Sequence, residues 1–170
     1  MQIKMKMSDE GRKMLKHHEG VRKKPYLDAV LLWTIGIGHL IATPEQLKMT
    51  LAERKLAKSE GRLKCTTEWM KPLTDAKVDQ ILQDDLHRFE RGVLRYCPNN
   101  LNQGRFDALV SFAFNAGLGA LQKSSIRMKH NRGDFDGAAN AFMLYRFAAG
   151  KEFRGLVKRR NDERLTYLSQ

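Results

Sequence analysis

Hydrophobic residues recur every three or four positions in several stretches of this chain, which is the spacing of one face of an α-helix. The clearest stretch begins after Thr74, a good N-cap residue, and runs to about Tyr96. Its apolar positions share one face: Val78, Ile81, Leu82, Phe89 and Val93. Asp85 lies in the middle of that stripe, so its carboxylate needs a partner if it is buried.

Other stretches predict further helices from periodicity and end signals. A first helix is predicted from Ser8 to about His18, because Ser8 suits its start and acidic residues occupy its first turn. Residues 105–116 are apolar nearly all round, which is typical of a central buried helix. Three more helices are predicted at about 124–131, 134–147 and 155–168, and residues 44–70 indicate one or two short ones.

Residues 26–41 alternate with a period of two and predict a β-hairpin. One face is bulky and the other is nearly bare: Trp33, Ile35, Ile37 and His39 against Thr34, Gly36 and Gly38. A bare face is typical of a strand that a ligand or another backbone approaches closely. The pattern as a whole therefore predicts a mostly helical α+β fold with a small sheet near the N-terminus.

The charge of the chain indicates a polyanionic partner. Its 170 residues include 31 Lys and Arg against 19 Asp and Glu, a formal net charge of +12. Such a field attracts nucleic acid, acidic cell-wall polymers and anionic membranes. The basic residues are dispersed, and the two dense runs, 22–24 and 158–160, belong to no recognisable DNA-binding motif. The charge alone would fit a nucleic-acid-binding module or a basic protein that disrupts membranes, and we keep these two functions as alternatives. Because no DNA-binding motif is present, we expect no nucleic-acid partner.

Neither a metal site nor a membrane anchor is indicated by the sequence. Cys65 and Cys97 show no Cys/His ligand spacing, so we expect no metal and no cofactor. We expect both cysteines to be free thiols, with a disulfide between them as the alternative. The first 20 residues are basic but contain no apolar stretch long enough for a signal peptide or an anchor. We therefore expect the protein to stay in the cytoplasm where it is made until a separate protein permeabilises the membrane.

Glu19, Asp28 and Thr34 are the residues whose combination points to chemistry. Glu19 ends the first predicted helix, and Asp28 and Thr34 lie on the hairpin, with Thr34 on the bare face. Glycoside hydrolysis needs such a set, because one carboxylic acid protonates the leaving oxygen and a second carboxylate stabilises or activates what attacks the sugar. The spacing alone is a weak signal, because any Glu and Asp nine residues apart would qualify, and the alternative is a pair of solvated surface charges.

The stretch from Glu19 to His39 resembles the signature of the phage-type lysozymes, glycoside hydrolase family 24, which includes the lysozymes of T-even phages and lambdoid endolysins. In that signature a Glu is followed nine residues later by Asp and six residues after that by Thr, just ahead of an I-G-x-G-H segment, here residues 35–39. Residues 106–121 resemble the central helix of the family, 155–168 its closing helix and 74–94 its long linking helix. The resemblance covers most of the chain and is weakest over 44–70.

The resemblance implies an endolysin that hydrolyses the β-1,4 bond between N-acetylmuramic acid and N-acetylglucosamine in bacterial peptidoglycan and thereby lyses the host cell. It implies an inverting reaction without metal or cofactor. Glu19 matches the general acid of the family, Asp28 its second carboxylate and Thr34 the residue beside the attacking water. Asn115 matches a substrate-contact position, with a helix C-cap as the structural alternative.

Four further residues receive supporting roles from the resemblance. In the family, an arginine of the closing helix approaches the catalytic Glu. Arg159 and Arg160 are both candidates for that arginine, and the alternative for either is a place on a solvated helix face. His39 and Asp85 match positions that pair across the lobes, and we interpret them as structural. Leu31 departs from the family, which usually has Gly there, so the hairpin turn must change its type or carry strain.

These observations predict a bilobed lysozyme-like fold. We expect a single lysozyme domain with a small sheet-containing N-terminal lobe over 1–73, a helical C-terminal lobe over 74–170 and an active cleft between them. The expected partner is bacterial peptidoglycan, and we expect the protein to be a monomer. Its positive charge should attract it to the anionic cell envelope, where an anionic outer membrane is a further candidate contact.

Overall fold

The computed structural model describes residues 5–169, which form two compact units. Glu19–Asp85 make up one, the sheet unit, and the residues up to His18 together with those from Leu86 onward make up the other, the helical unit. This division differs from the expected lobes 1–73 and 74–170 at two helices. All of α1 (Asp9–Glu19) except its last residue belongs to the helical unit, and α4 (Asp75–Tyr96) contributes to both.

The sheet unit contains a three-stranded antiparallel sheet in the order β1–β2–β3. The strands are Arg22–Leu27, Trp33–Gly36 and His39–Leu40. Tyr26 pairs with Thr34, and Ile35 pairs with His39. The expected hairpin is therefore present, but β1 begins before the predicted start at residue 26 and a two-residue third strand follows β2.

The nearly bare face of β2 is partly covered by a side chain of its own unit. Thr34 is 4% exposed and Gly36 is also buried. A Cβ atom on Gly36 would lie 3.9 Å from Cδ1 of Leu73, which belongs to the same unit. The absence of a side chain at Gly36 thus leaves room that Leu73 partly fills.

Two short helices follow the sheet and are set by their N-caps. These helices are α2 (Pro44–Lys48) and α3 (Leu51–Ser59), and a 3-10 turn covers Thr67–Trp69. Thr43 and Thr50 each accept a backbone N–H three residues later, and the third helical residue returns the hydrogen bond. The expectation of one or two short helices over 44–70 is confirmed.

The helical unit is built around α5 (Gln103–Ala116), which is buried from Phe106 to Ala113. The other elements are α6 (Leu118–Lys123), α7 (Ser125–Asn131), α8 (Phe135–Ala141), a 3-10 turn (Phe142–Tyr145), β4 (Phe147–Ala148), β5 (Lys151–Glu152) and α9 (Arg154–Leu168). α5 packs most extensively against α9. The all-round apolar pattern of 105–116 therefore correctly indicated the central helix.

The start of α1 is fixed by a polar contact with α5. Ser8 Oγ accepts the N–H of Gly11 at 3.0 Å, and Asp107 Oδ1 accepts the N–H of Ser8 at 3.0 Å. A Cβ on Gly11 would lie 2.7 Å from Cγ of Asp107, so glycine permits this close approach. The predicted helix start at Ser8 is confirmed, and its anchor is a buried carboxylate that the sequence pattern did not indicate.

Part of the region after α5 differs from the sequence prediction. The helix expected over 134–147 ends at Ala141 and continues as a 3-10 turn. A second, two-stranded sheet of β4 and β5 follows, joined by Ala149 and Gly150 in left-handed conformations. Helix α6, which begins after Gly117, was also not predicted. Such short elements carry too few residues to show a hydrophobic period.

Candidate active site

Glu19 is presented at the carboxyl end of α1. It is the last helical residue and is exposed to solvent. Gly20 follows with a φ of +73°, a left-handed conformation that is common where helices end and that lets the chain leave the helix before β1. The end of a helix, not a strand, therefore sets the position of this carboxyl group.

Asp28 begins the turn between β1 and β2, and the backbone of that turn holds its carboxylate. Oδ1 of Asp28 accepts the N–H groups of Val30 and Leu32, both at 2.9 Å. The N–H of Asp28 donates to the Leu32 carbonyl at 3.0 Å, and the Thr34 hydroxyl donates to the same carbonyl at 3.2 Å. The peptide groups of Leu32 thus connect Asp28 with Thr34.

The same turn contains Leu31 in a left-handed conformation, with a φ of +59°. This backbone costs a residue with a Cβ about 1–2 kcal/mol. Arg54 of α3 donates from Nη1 to the Val30 carbonyl at 2.6 Å and from Nη2 to the Met49 carbonyl at 2.7 Å. The turn that carries Asp28 is therefore strained at Leu31 and tied to α3 by Arg54.

His39 and Asp85 contact each other within the sheet unit. Nδ1 of His39 lies 2.9 Å from Oδ2 and 3.0 Å from Oδ1 of Asp85. The hydrogen bond with Asp85 raises the pKa of His39 above its usual value, against the opposing effect of burial. Both side chains are 30% exposed, and the Trp69 ring lies 6.0 Å from the imidazole. The contact joins β3 to α4.

Arg159 and Arg160 lie on the buried face of α9, so the alternative of a solvated helix face is wrong. They are 4% and 1% exposed, and Glu163 between them is fully buried. Nε of Arg159 lies 3.1 Å from Oε1 of Glu163, and Nε of Arg160 lies 2.8 Å from Oε2. Burial raises the pKa of Glu163, and the two guanidinium groups oppose that rise. The approach of one of these two arginines to Glu19 stays a prediction.

Asn115 is exposed near the end of α5, and its side-chain oxygen contacts Arg160. Oδ1 accepts from Nη2 of Arg160 at 3.0 Å. The C-cap of α5 is Gly117, so the alternative role of Asn115 as a C-cap is wrong.

The buried polar residues of the helical unit that were not singled out from the sequence include Ser111, Glu163 and His130. Ser111 donates its hydroxyl hydrogen to Oε1 of Glu163 at 2.7 Å. His130 contacts the Tyr167 hydroxyl at 2.6 Å and the Asn99 carbonyl at 2.8 Å, and burial lowers its pKa. The available signal was the four-residue spacing of Arg159 and Glu163 on one helix face, which permits an ion pair.

Two classes of feature are absent from the described part of the chain. Among residues 5–169, no three His, Cys, Asp or Glu side chains lie together as metal ligands would. No helix over the same residues combines the length and the apolar character needed to cross a membrane. Cys65 and Cys97 are free thiols, and burial raises the pKa of Cys97 to about 12.

Known proteins resemble this chain over nearly all of its length. The endolysin of Salmonella phage P22 is 32% identical over 165 residues, which are 97% of this chain and 99% of that protein. The endolysin of Bacillus phage B103 is 33% identical over 167 residues. This chain spans only 55% of the length of the B103 protein and 56% of that of the Bacillus phage PZA endolysin.

Solved structures share the fold. A mutant of P22 lysozyme superposes with a TM-score of 0.78 at 28% identity, over 98% of this chain and 100% of that one. The muramidase domain of SpmX from Asticaccaulis excentricus gives 0.76 at 25% identity, over the same shares. The model of the phage lysozyme family matches residues 16–163, which include Glu19, Asp28, Thr34 and the buried cluster of α9. The chain therefore belongs to the phage lysozyme family.

Proposed function

We propose that this chain is a muramidase, an endolysin that hydrolyses the β-1,4 bond between N-acetylmuramic acid and N-acetylglucosamine in bacterial peptidoglycan. The observation that carries the proposal is the turn after β1, where the Leu32 peptide groups join Asp28 and Thr34. Together with Glu19, these residues stand at the spacing typical of the family. Membership of that family supplies the substrate class.

Glu19 acts as the general acid in this proposal. Glu19 is exposed at the end of α1, where its carboxylic acid is accessible to the glycosidic oxygen of a long polymer. Protonation of that oxygen makes the departing sugar a neutral alcohol, and such proton transfer contributes about a hundred- to ten-thousand-fold in rate.

Asp28 and Thr34 position the water that attacks the sugar. Oδ1 of Asp28 is occupied by two backbone N–H groups, so Oδ2 is the oxygen that accepts a hydrogen bond from the water and takes up its proton as the water attacks the sugar. The Thr34 hydroxyl donates to Leu32, and its lone pairs are acceptors for the other hydrogen. Thr34 is 4% exposed, which suits contact with a single small molecule.

Direct attack by this water inverts the anomeric carbon. The initial product is then the α-anomer, because water enters from the face opposite the departing oxygen. Proton NMR of fresh product, recorded before mutarotation, tests the stereochemistry. An initial β-anomer, or a trapped ester between the sugar and Asp28, would show that the reaction is retaining.

The experiment that tests the function is digestion of purified peptidoglycan, with mass spectrometry of the released fragments. Muramic acid at the new reducing ends supports the proposal, and cleaved peptide bonds contradict it. Glu19→Gln keeps the shape of the side chain but cannot give a proton, so we expect activity to fall at least about a hundred-fold. Glu10→Gln, an exposed position on the same helix, is the matched control and keeps full activity.

We also propose that the protein acts as a monomer and waits in the host cytoplasm until a separate protein opens the membrane. Expression in bacteria should leave the cells intact until a permeabilising solvent is added, after which lysis is rapid. Lysis during expression without that treatment would contradict the proposal.

A further inference from the structure

The loop between β1 and β2 has a leucine at a position that usually takes glycine. The Asp28 carbonyl accepts the Leu31 N–H at 3.0 Å, and the Asp28 N–H donates to the Leu32 carbonyl at 3.0 Å. These are the hydrogen bonds of a three-residue hairpin loop, whose third residue adopts a left-handed conformation that favours glycine. Leu31 is that third residue, with a φ of +59°. Its Cβ disfavours the conformation, so a contact from outside the loop is needed to maintain it.

Arg54 of α3 supplies a contact of this kind. Its Nη1 donates to the Val30 carbonyl at 2.6 Å. That carbonyl belongs to the same planar peptide group as the Leu31 N–H, which the Asp28 carbonyl accepts. The peptide group between Val30 and Leu31 is therefore held at its oxygen by Arg54 and at its nitrogen by Asp28. Rotation of this peptide group changes the φ of Leu31, and both hydrogen bonds oppose that rotation.

The guanidinium group of Arg54 is itself held at the end of α2. Nε and Nη2 donate to the Met49 carbonyl at 3.1 and 2.7 Å, and Met49 is the C-cap of α2. Because a guanidinium group is planar and rigid, these two hydrogen bonds fix the direction in which Nη1 points. Arg54 is also half-buried, so its side chain is only partly open to water. The loop is thus attached to a donor whose position is fixed.

The conformation of Leu31 determines where the Asp28 carboxylate lies. Oδ1 of Asp28 accepts the N–H groups of Val30 and Leu32, both at 2.9 Å. These N–H groups belong to the two peptide groups that flank the one held by Arg54. If Leu31 left its left-handed conformation, the Leu32 N–H would turn away from Oδ1 and the carboxylate would lose one of its two donors.

We infer that Arg54 is a positioning residue, which keeps the Asp28 carboxylate in place by holding the peptide group between Val30 and Leu31. The inference rests on the proposed function and on the role proposed there for Asp28. Arg54 acts through the loop and contacts neither the sugar nor the attacking water. It substitutes for the glycine that a loop of this type usually has at position 31.

Arg54→Ala removes the hold on the loop. We expect kcat for peptidoglycan fragments to fall roughly 10- to 100-fold, because a displacement of about 1 Å in a catalytic group can cost that much. KM should change less than about three-fold, since Asp28 positions the water and not the sugar. Arg62→Ala is the matched control, because it removes an exposed arginine of the same unit whose Nε donates to Oε2 of Glu60 at 2.7 Å. We expect it to leave kcat unchanged.

The decisive variant combines Arg54→Ala with Leu31→Gly. Glycine adopts the left-handed conformation without outside support, so we expect kcat to return to within about three-fold of the original. If Arg54 served only to join α2 to α3, glycine at position 31 would restore nothing. Should Arg54→Ala fail to fold, Arg54→Lys takes its place, because an ammonium group cannot hold both carbonyls with the geometry of a guanidinium. A loss of kcat that Leu31→Gly does not restore overturns the inference.

Hydrogen exchange of the amide at position 31, followed by NMR, tests the loop without reference to activity. Relative to the rate in an unfolded peptide, we expect exchange at least about ten-fold faster in Arg54→Ala and slow again in the double variant. Faster exchange with an unchanged kcat would overturn the positioning role. An original chain that cleaves no peptidoglycan refutes the proposed function, whereas a chain that cleaves it with a kcat indifferent to Arg54→Ala refutes only the inference.

Discussion

The two units of the molecule differ in their net charge and in how they hold their carboxylates. The sheet unit has 11 Lys and Arg against 10 Asp and Glu, a net charge of +1, whereas the remaining residues have 20 against 9, a net charge of +11. The candidate catalytic carboxyls are thus in the nearly neutral unit. We expect the other unit to supply any long-range attraction to an anionic envelope.

The difference extends to single carboxylates. Asp28 in the sheet unit is half-buried and held by backbone N–H groups, which leaves one of its oxygens to a ligand. Glu163 in the helical unit is fully buried and held by two arginines and a serine. A carboxylate that serves chemistry must stay accessible, whereas one that serves stability can be enclosed. Substitutions at the two positions should therefore have opposite consequences for activity and stability.

The largest effect is expected from Glu163→Ala. It leaves two buried guanidinium groups without their shared carboxylate, which costs about 3–5 kcal/mol of unfolding free energy. For a chain of this length the melting temperature should fall by roughly 10 °C. Thermal unfolding followed by circular dichroism measures it. Glu152→Ala, which removes an exposed partner of Arg146 at 2.6 Å, is the control and should cost less than about 1 kcal/mol. Similar losses for both variants would remove the distinction between the units.

Asp28→Asn is expected to lower activity while leaving stability nearly unchanged. The amide oxygen still accepts the N–H groups of Val30 and Leu32, so the melting temperature should stay within about 2 °C. The loss of the carboxylate should lower the rate of peptidoglycan hydrolysis at least about a hundred-fold. Asp28→Ala removes both functions and should lower stability as well. If Asp28→Asn retains most of its activity, the proposed role of Asp28 is wrong.

Sequence patterns indicated the elements whose side chains follow a simple period. Thr74 capping α4, and the apolar stretch of α5, could be found because burial and hydrophobicity coincide there. The helix predicted over 155–168 is present as α9, but hydrophobicity does not mark its buried face, because that face carries two arginines and a glutamate. The burial of such residues depends on partners in α5, at a distance along the chain that no local pattern shows. The short hairpin of β4 and β5 was not predicted for another reason, because two-residue strands are too short to show a period.

Some features of the candidate site could likewise be predicted from the sequence, and others could not. The spacing of Glu19, Asp28 and Thr34 could be taken from the sequence because one helix end, the turn after β1 and the strand that follows it carry the three residues. The positive φ of Leu31 was indicated as one of two outcomes by the missing glycine. The partners of Asn115 could not be predicted, since they lie on a helix about 45 residues later.

The charge asymmetry predicts that neutralising the helical unit weakens wall binding more than neutralising the sheet unit. Arg88, Arg91 and Arg95 are exposed on one face of α4, and within residues 5–169 they take part in no ion pair. Replacing all three with Gln should weaken binding to cell walls roughly ten-fold at low salt and flatten its salt dependence.

The matched control removes the same charge from the sheet unit. Lys48, Lys55 and Lys58 are exposed there. Their triple replacement with Gln should weaken binding less than about three-fold, because acidic residues already balance that surface. Equal losses for the two triple variants would mean that net charge, and not its location, governs binding.

Two histidines give the units opposite responses to pH. His39 has a raised pKa, so its contact with Asp85 contributes stability that is fully present below about pH 6.5 and is lost as pH rises through its folded-state value. His130 has a lowered pKa because of burial, so its contribution is lost as pH falls below about 6.5. Asp85→Asn should therefore cost about 1 kcal/mol near pH 6 and less near pH 9, with turnover within a few-fold. The His130 effect cancels in that difference, so a cost that grows with pH would contradict the pair.

The smallest effect is expected from Leu31→Gly in the turn that carries Asp28. Glycine adopts the φ of +59° without a clash, but it also has more freedom to lose on folding, so the net gain in stability should be about 0.5–1 kcal/mol. Urea unfolding can resolve such a gain. Because Asp28 is held by hydrogen bonds of the turn and Arg54 ties the turn to α3, relief of strain at Leu31 should leave Asp28 in place and the hydrolysis rate unchanged. Ala149→Gly is a useful parallel, since Ala149 has a φ of +49° in the helical unit, far from any proposed role in chemistry. A gain in stability at both positions with a loss of activity only at Leu31 would show that strain in this turn contributes to the function of the sheet unit.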